Sequence, residues 1–176
     1  MILNGRLYRG NSGFAGEFGH IQVDPEGELC YCGKIGCLET LASGTTLIRK
    51  AKKEIADGAT SIIRNLVDND LTKINIDIIL KAAQKGDQFA IGILSQIGEH
   101  LGKGIAILIH LFNPELIILG GELSKAENYI TDPIQQNLNK YTIAKIRKDT
   151  QIINSELGDN AGILGTIALV MDKIFE

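Results

Sequence analysis

The sequence predicts an α/β fold with parallel strands and packed helices, on three observations. The run Glu115-Leu116-Ile117-Ile118-Leu119 is apolar after its first residue and leads into Gly120-Gly121, the pattern of a strand buried on both faces. A second short apolar run, Gln151-Ile152-Ile153-Asn154, follows after a helical stretch. A further helical stretch closes the sequence, and the order strand, helix, strand, helix builds a parallel sheet.

The remaining elements follow from local chemistry. In Ile2-Leu3-Asn4-Gly5-Arg6-Leu7-Tyr8, Asn-Gly lies between short apolar stretches and predicts a hairpin. Gly10-Asn11-Ser12-Gly13-Phe14-Ala15-Gly16 reads as a loop. Ile21-Gln22-Val23 alternates and reads as a short strand, and residues 24–38 read as irregular, with Pro25, Gly27, Gly33 and Gly36. A loop that long implies a function or an internal crosslink. Ser43 is a predicted N-cap for a helix with Leu47, Ile48, Ala51 and Ile55 on one face, ended by Gly58. A second helix runs over residues 75–84 and closes at Gly86. Asp87 caps a longer one, whose Ala90, Ile91, Leu94, Ile97, Leu101, Ile105 and Leu108 recur at helical spacing until Pro114. Gly98, Gly102 and Gly104 interrupt it, each weakening a helix by about 1 kcal/mol relative to alanine, which predicts close approach of another backbone. Ser124 is the predicted start of a helix reaching Lys140. Residues 157–162 read as a turn, and Ala161 to Ile174 as the last helix.

The 176 residues fit one domain or one lobe of a larger protein, and 44% hydrophobic with 22% charged residues is ordinary for a globular chain. A net charge of −3 argues against this segment gripping DNA by itself, because phosphate binding needs a basic face. The start shows no signal-peptide pattern, and the longest apolar run, Gly104 to Phe112, is too short to span a bilayer and holds His110. Three cysteines between residues 30 and 37 make a poor disulfide framework and a good ligand cluster, which points to a cytoplasmic protein.

That cluster carries the strongest chemical signal. His20, Cys30, Cys32 and Cys37 supply one imidazole and three thiols within an irregular, glycine-rich segment that can wrap an ion. Three cysteines and one histidine are a common closed tetrahedral set for structural zinc, leaving no open position for hydrolysis. Buried reduced cysteines are the plainer alternative, but Cys30-Tyr31-Cys32-Gly33 lies in a polar turn.

Carboxylates flank the cluster. Glu17 precedes His20 by three residues and Glu39 follows Cys37 by two, so a metal that folds the segment brings both near one place. Carboxylates accept hydrogen bonds from vicinal hydroxyls, and His20 could bind metal through one nitrogen and a hydroxyl through the other. Taken alone, Glu17 reads more readily as a solvated loop residue and Glu39 as a first-turn helix acid. A two-carboxylate glycosidase is a further reading that nothing else supports. Gly120-Gly121 after the buried strand, and Leu157-Gly158-Asp159-Asn160-Ala161-Gly162 before the last helix, would let a ligand approach backbone, or would simply be tight turns. His100 and His110 read as satisfied core or boundary residues, and Lys50, Lys52 and Lys53 as a solvated helix face.

Taken together, Glu17-Phe18-Gly19-His20, Cys30-Tyr31-Cys32-Gly33-Lys34-Ile35-Gly36-Cys37-Leu38-Glu39, Asn113-Pro114-Glu115-Leu116-Ile117-Ile118-Leu119-Gly120-Gly121 and Leu157-Gly158-Asp159-Asn160-Ala161-Gly162 resemble, in order and over nearly the whole chain, the ROK family of sugar kinases and sugar-responsive repressors. The resemblance implies the C-terminal lobe of an actin-like, ribonuclease H-like α/β fold over residues 1–176, with a zinc-binding segment at 17–39. It implies that His20, Cys30, Cys32 and Cys37 hold zinc and that Glu17, His20 and Glu39 contact a monosaccharide or its phosphate. In kinases of the family Gly120, Gly121, Gly158 and Asp159 would lie near ATP and Mg²⁺. The phosphate loop with Asp-x-Gly-x-Thr and the aspartate base of the kinases, or the helix-turn-helix through which repressors meet DNA, would lie upstream. The stretch from Lys81 to Gly121 is more similar to the repressors, and Glu122 would repel nucleotide phosphates. The expectation is therefore the effector lobe of a repressor, assembled as a homodimer or higher oligomer. The C-terminal half of a sugar kinase is the alternative, and a zinc-crosslinked assembly module without ligand is the third.

Overall fold

The computed structural model describes residues 1–175, without the side chains of Asp159, Lys173 and Phe175. Strands β1 (Ile2–Leu3) and β2 (Arg6–Leu7) pair antiparallel, with Ile2 opposite Leu7. Asn4 and Gly5 both take positive φ, at 52° and 76°, the conformation that a tight hairpin demands of its two central residues. Ile21-Gln22-Val23 does not form a strand. Gln22 makes one isolated antiparallel bridge to Cys37, because the loop around the cysteines turns away before a ladder can extend.

Five of the helices make most of the core. Helices α1 (Leu38–Ala42), α2 (Gly44–Ala56) and α4 (Ile76–Gln84) pack on the long α5 (Gln88–Phe112), and α6 (Asn128–Tyr141) lies along its other side. The caps form as local chemistry requires. Ser43 Oγ accepts from the Thr46 N–H, Asn75 Oδ1 from Ile78, and Asp87 Oδ1 from Ala90. Asn113 ends α5 in the left-handed conformation immediately before Pro114. Short helices α3 (Ile63–Leu66) and α7 (Ala144–Arg147) fill connections. Leu47, Ile55, Ile79, Leu94, Ile97, Ile109, Ile134 and Leu138 are fully enclosed between these elements.

The glycines of α5 let neighbours in. A Cβ on Gly98 would stand 2.7 Å from the Ile130 carbonyl oxygen and 2.8 Å from Pro133 Cβ, and one on Gly102 would stand 2.8 Å from Asn137 Cβ. Gly104 admits side chains rather than backbone, Leu38 Cδ2 at 2.6 Å and Phe18 Cζ at 2.9 Å. Gly98→Ala therefore sets two effects against each other. Alanine improves helix propensity by about 1 kcal/mol, while overpacking against α6 costs about 1–3 kcal/mol. The expected result is net destabilisation, read as a lower urea midpoint with an unchanged slope, and a higher midpoint would refute it.

Strands β3 (Leu116–Leu119) and β4 (Gln151–Asn154) pair parallel, Leu116 opposite Gln151 and Leu119 opposite Asn154. The expected parallel α/β arrangement is present, but β3 is not buried on both faces. Ile117, Leu119 and Ile152 pack on the core, whereas Leu116, Ile118 and Ile153 face out, because helices cover one side of the pair only. The helix expected from Ser124 begins later. Residues Glu122–Ala126 form a 3-10 turn in which Ser124 Oγ donates to the Gly121 carbonyl, and Glu127, at φ 45°, breaks the path before α6. Helix α8 (Ala161–Phe175) follows a 3-10 turn at Gly158–Asn160, and its described side chains beyond Ala161 are exposed. Among the described residues no helix is long and apolar enough to cross a membrane.

His100, on α5, departs from the expectation of a satisfied histidine: its Nδ1 is buried and has no hydrogen-bond partner among the described residues. Burial holds its pKa below the ordinary 6.5, with Lys103 and Lys50 adding to the effect. A depressed histidine pKa means that the unfolded chain takes the proton first, so stability is lost as pH falls below about 6.5. His100→Leu is expected to raise stability by about 1 kcal/mol at neutral pH by removing the orphan. The gap between variant and wild type should widen from pH 7.5 to pH 5.5 in urea titrations, and a constant gap would refute the assignment. His110 is exposed and its Nε2 accepts from the Ile143 N–H at 3.3 Å. The lysines of α2 are solvated but engaged: Lys50 hydrogen-bonds Gln96, and Lys52 donates to the Thr72 carbonyl at 3.0 Å.

Candidate metal centre and ligand site

The site hangs on two arms that land on α5 at one point. Phe18 opens the 3-10 turn Phe18–His20, Leu38 opens α1, and both side chains sit against Gly104. With those anchors fixed, His20 and Cys37 approach each other, and the Leu38 N–H donates to the Ile21 carbonyl at 2.9 Å.

The intervening loop folds on its own backbone. The Gly36 N–H donates to Glu28 O at 2.8 Å, Cys30 N–H to Lys34 O at 2.7 Å, and Val23 N–H to Gly36 O at 2.9 Å. Gly36 has φ 69°, and a Cβ there would fall 1.5 Å from the Asp24 carbonyl oxygen, so only glycine lets the two limbs touch. An ion pair ties the loop to α2, with Arg49 Nη2 2.6 Å from Glu28 Oε2. That pair holds the Glu28 carboxyl below its ordinary range.

These constraints bring His20, Cys30, Cys32 and Cys37 together, with one ligand atom from each within 4.8 Å of the others. Cys32 Sγ and Cys37 Sγ are 3.6 Å apart, and Cys30 Sγ is 3.7 Å from His20 Nδ1. A tetrahedral ion with sulfur arms of about 2.3 Å has edges of about 3.8 Å. The donor chemistry and the spacing thus fit a closed Cys3His zinc site. Cys30 and Cys37 are buried and Cys32 is exposed. Burial pushes the Cys37 thiol up to about 12, helped by its hydrogen bonds with Cys32 and Cys30. Cys32 lies below its ordinary value because the Lys34 backbone N–H hydrogen-bonds its sulfur. A cation bound here would have to displace protons from the thiols.

Carboxylates surround the same imidazole. Glu17 Oε2 is 3.7 Å from His20 Nε2, and Glu39 Oε2 is 3.6 Å from Nδ1, the nitrogen that also meets Cys30 Sγ. Glu39 also lies against Gly19, where a Cβ would sit 3.5 Å from its Oε2. Tyr31, which the sequence did not single out, completes the group. Its hydroxyl is 3.1 Å from His20 Nε2, and the two rings meet edge to face at 5.1 Å and 81°. The phenol pKa stands above its ordinary value because its oxygen loses water and the Glu39 charge lies close. The only hint in the sequence was an aromatic between two cysteines, a position with no periodicity to mark it.

The two glycine turns lie elsewhere, side by side. Gly120-Gly121 leaves β3 and Gly158 follows β4, and the parallel register puts both turns at the carboxyl end of the pair, with Ser155 N–H donating to Leu119 O at 2.8 Å. Gly120, Gly121 and Gly158 have open space where a Cβ would stand. The side chain of Asp159 lies outside the described residues.

Comparison with known proteins places these features in context. The sequence profile of the ROK family matches residues 1–173. The DNA-binding transcriptional dual regulator NagC of Escherichia coli K12 is 38% identical over 170 residues, which are 97% of this chain and 40% of the regulator. A ROK family glucokinase from Streptomyces griseus, solved with glucose and AMPPNP, superposes with a TM-score of 0.86 at 35% identity, covering 96% of this chain and 55% of the kinase. A ROK family transcriptional regulator, a homologue of the E. coli Mlc protein, superposes with a TM-score of 0.78 at 36% identity, over 87% of this chain and 37% of the regulator. The chain thus spans between about two fifths and just over half of the proteins it matches.

Proposed function

This chain belongs to the ROK family, and from that premise we propose that it is the sugar-binding effector lobe of a cytoplasmic transcriptional repressor, crosslinked by one zinc. The observation that carries the reading is the convergence on one imidazole. Cys30 Sγ and Glu39 Oε2 stand beside its Nδ1, the sulfurs of Cys32 and Cys37 lie in the same cluster, and Glu17 and the Tyr31 hydroxyl meet its Nε2. Zinc on Nδ1 fixes the proton on Nε2, and Nε2–H is then a donor for a sugar hydroxyl. Glu17 and Glu39 accept the hydroxyl protons. A monosaccharide, or its phosphate, held in this way biases the protein towards the conformation that binds it more tightly. In a dimer that shift would reorient DNA-binding modules carried outside these residues.

A sugar kinase is the second reading, favoured by the TM-score of 0.86 to the glucokinase and by the adjacent glycine turns at the carboxyl ends of β3 and β4. There Gly120, Gly121, Gly158 and Asp159 would approach ATP and Mg²⁺. Glu122 is exposed directly after Gly121, and its charge would repel phosphates. The 38% identity to NagC extends over 97% of the chain and favours the repressor.

The test uses protein expressed from the complete coding sequence. Sugar-dependent release of operator DNA, without sugar-dependent ATP consumption, is the expected result. ATP consumption with no DNA binding would replace the repressor by the kinase. Neither activity, with no sugar bound, would leave a zinc-crosslinked assembly module.

A further inference from the structure

Resting on the sugar-binding reading above, we propose that Tyr31 is a self-blocking residue whose phenol takes the place of a sugar hydroxyl on His20 and must be displaced for sugar to bind. The donor and acceptor pattern carries the argument. With Nδ1 standing 3.7 Å from Cys30 Sγ, Nε2 is the ring atom left to meet a ligand, and the Tyr31 hydroxyl already stands 3.1 Å from it. Glu17 Oε2 is 3.7 Å from the same nitrogen, and Glu39 Oε2 is 3.6 Å from the other ring nitrogen. A phenol accepts from an imidazole N–H and donates to a carboxylate, as a sugar hydroxyl does, so the two compete for one set of partners.

The ring is placed for displacement rather than for stacking. Tyr31 is 81% exposed, so little packing opposes its rotation outward. It meets the imidazole edge to face, with its hydroxyl directed at Nε2. Its neighbours Cys30 and Cys32 are ligand candidates, so the backbone is held and only the side-chain torsions need change. A net hydrogen bond of ordinary strength would tax sugar affinity by roughly 2- to 10-fold.

The experiment is calorimetric titration of N-acetylglucosamine and of glucose into zinc-loaded protein from the complete coding sequence, as wild type, Tyr31→Phe and Tyr31→Ala. Tyr31→Phe keeps the ring and frees Nε2, and its Kd is expected to fall roughly 2- to 10-fold, with Tyr31→Ala at least as tight. Zinc content equal to wild type certifies the fold of each variant. NMR of ring-labelled tyrosine in the wild type gives a second readout, in which sugar is expected to shift the Tyr31 signal. Unchanged or weaker binding in both variants, or a Tyr31 signal indifferent to bound sugar, overturns the proposal while wild-type binding leaves the sugar site standing. No binding by any of the three proteins overturns both.

Discussion

Stripping zinc from this chain is expected to lower its melting temperature by about 10 °C. At free zinc about a thousandfold above Kd, a ligand that binds only the native state contributes about 4 kcal/mol, and in a chain of this size each kcal/mol moves the midpoint by about 2–4 °C. The site closes the segment between His20 and Cys37, whose ends seat Phe18 and Leu38 on α5 at Gly104, so loosening the loop also loosens the core. Cys32→Ala is the cleaner variant. Cys30 and Cys37 are buried, so truncating either would also create a cavity, whereas Cys32 is exposed and its loss reports on the metal. The expected measurements are about one zinc per chain by elemental analysis, a chelator-induced drop for wild type, and no such drop for Cys32→Ala. A wild-type midpoint indifferent to a strong chelator would sink the metal assignment.

Glu39→Ala is expected to weaken sugar binding by about 2–4 kcal/mol, roughly 30- to 800-fold in Kd, because a buried hydroxyl would lose a charged acceptor. Glu39 sits in the first turn of α1, so part of any stability change comes from the helix terminus. Glu39→Gln separates the two contributions. It keeps the size and one acceptor oxygen but removes the charge, and should fall between wild type and Glu39→Ala in affinity. Titration of N-acetylglucosamine or glucose into the protein from the complete coding sequence decides the matter. Equal affinities in all three proteins would remove Glu39 from the site.

What the sequence revealed was whatever local chemistry decides. The Asn4-Gly5 turn, the caps at Ser43 and Asp87, and the small-residue face of α5 each depend on neighbours a few residues away or on the absence of a Cβ. The cluster of His20 with the three cysteines was legible because thiol and imidazole spacing carries chemical meaning even without a periodic pattern. Burial of β3 was misjudged because an unbroken apolar run looks the same whether one face or both are covered, and only the neighbouring elements decide. The start of α6 was misplaced because Ser124 bonds back to Gly121 instead of capping forward. Helices α1, α3 and α7 are of four or five residues, too short for a 3.6-residue period to register. Tyr31 escaped because its role depends on a contact across 11 positions, set by how the loop folds.

The exposure of α8 has a practical consequence for anyone handling the protein. Ile163, Ile167, Val170, Met171 and Ile174 are all exposed and recur at helical spacing, forming a greasy stripe, and Leu116, Ile118 and Ile153 present a second open apolar face. Stripes of this kind drive colloidal attraction between molecules in solution. At millimolar concentration and high salt, where repulsion between the negatively charged molecules is screened, the 176-residue chain should scatter light in proportion to more than its own mass, and on heating the unfolded molecules should be captured by clumping before they can refold. The trace would then shift with the speed of heating, and replacing Ile167 and Ile174 with glutamate should restore a reversible transition.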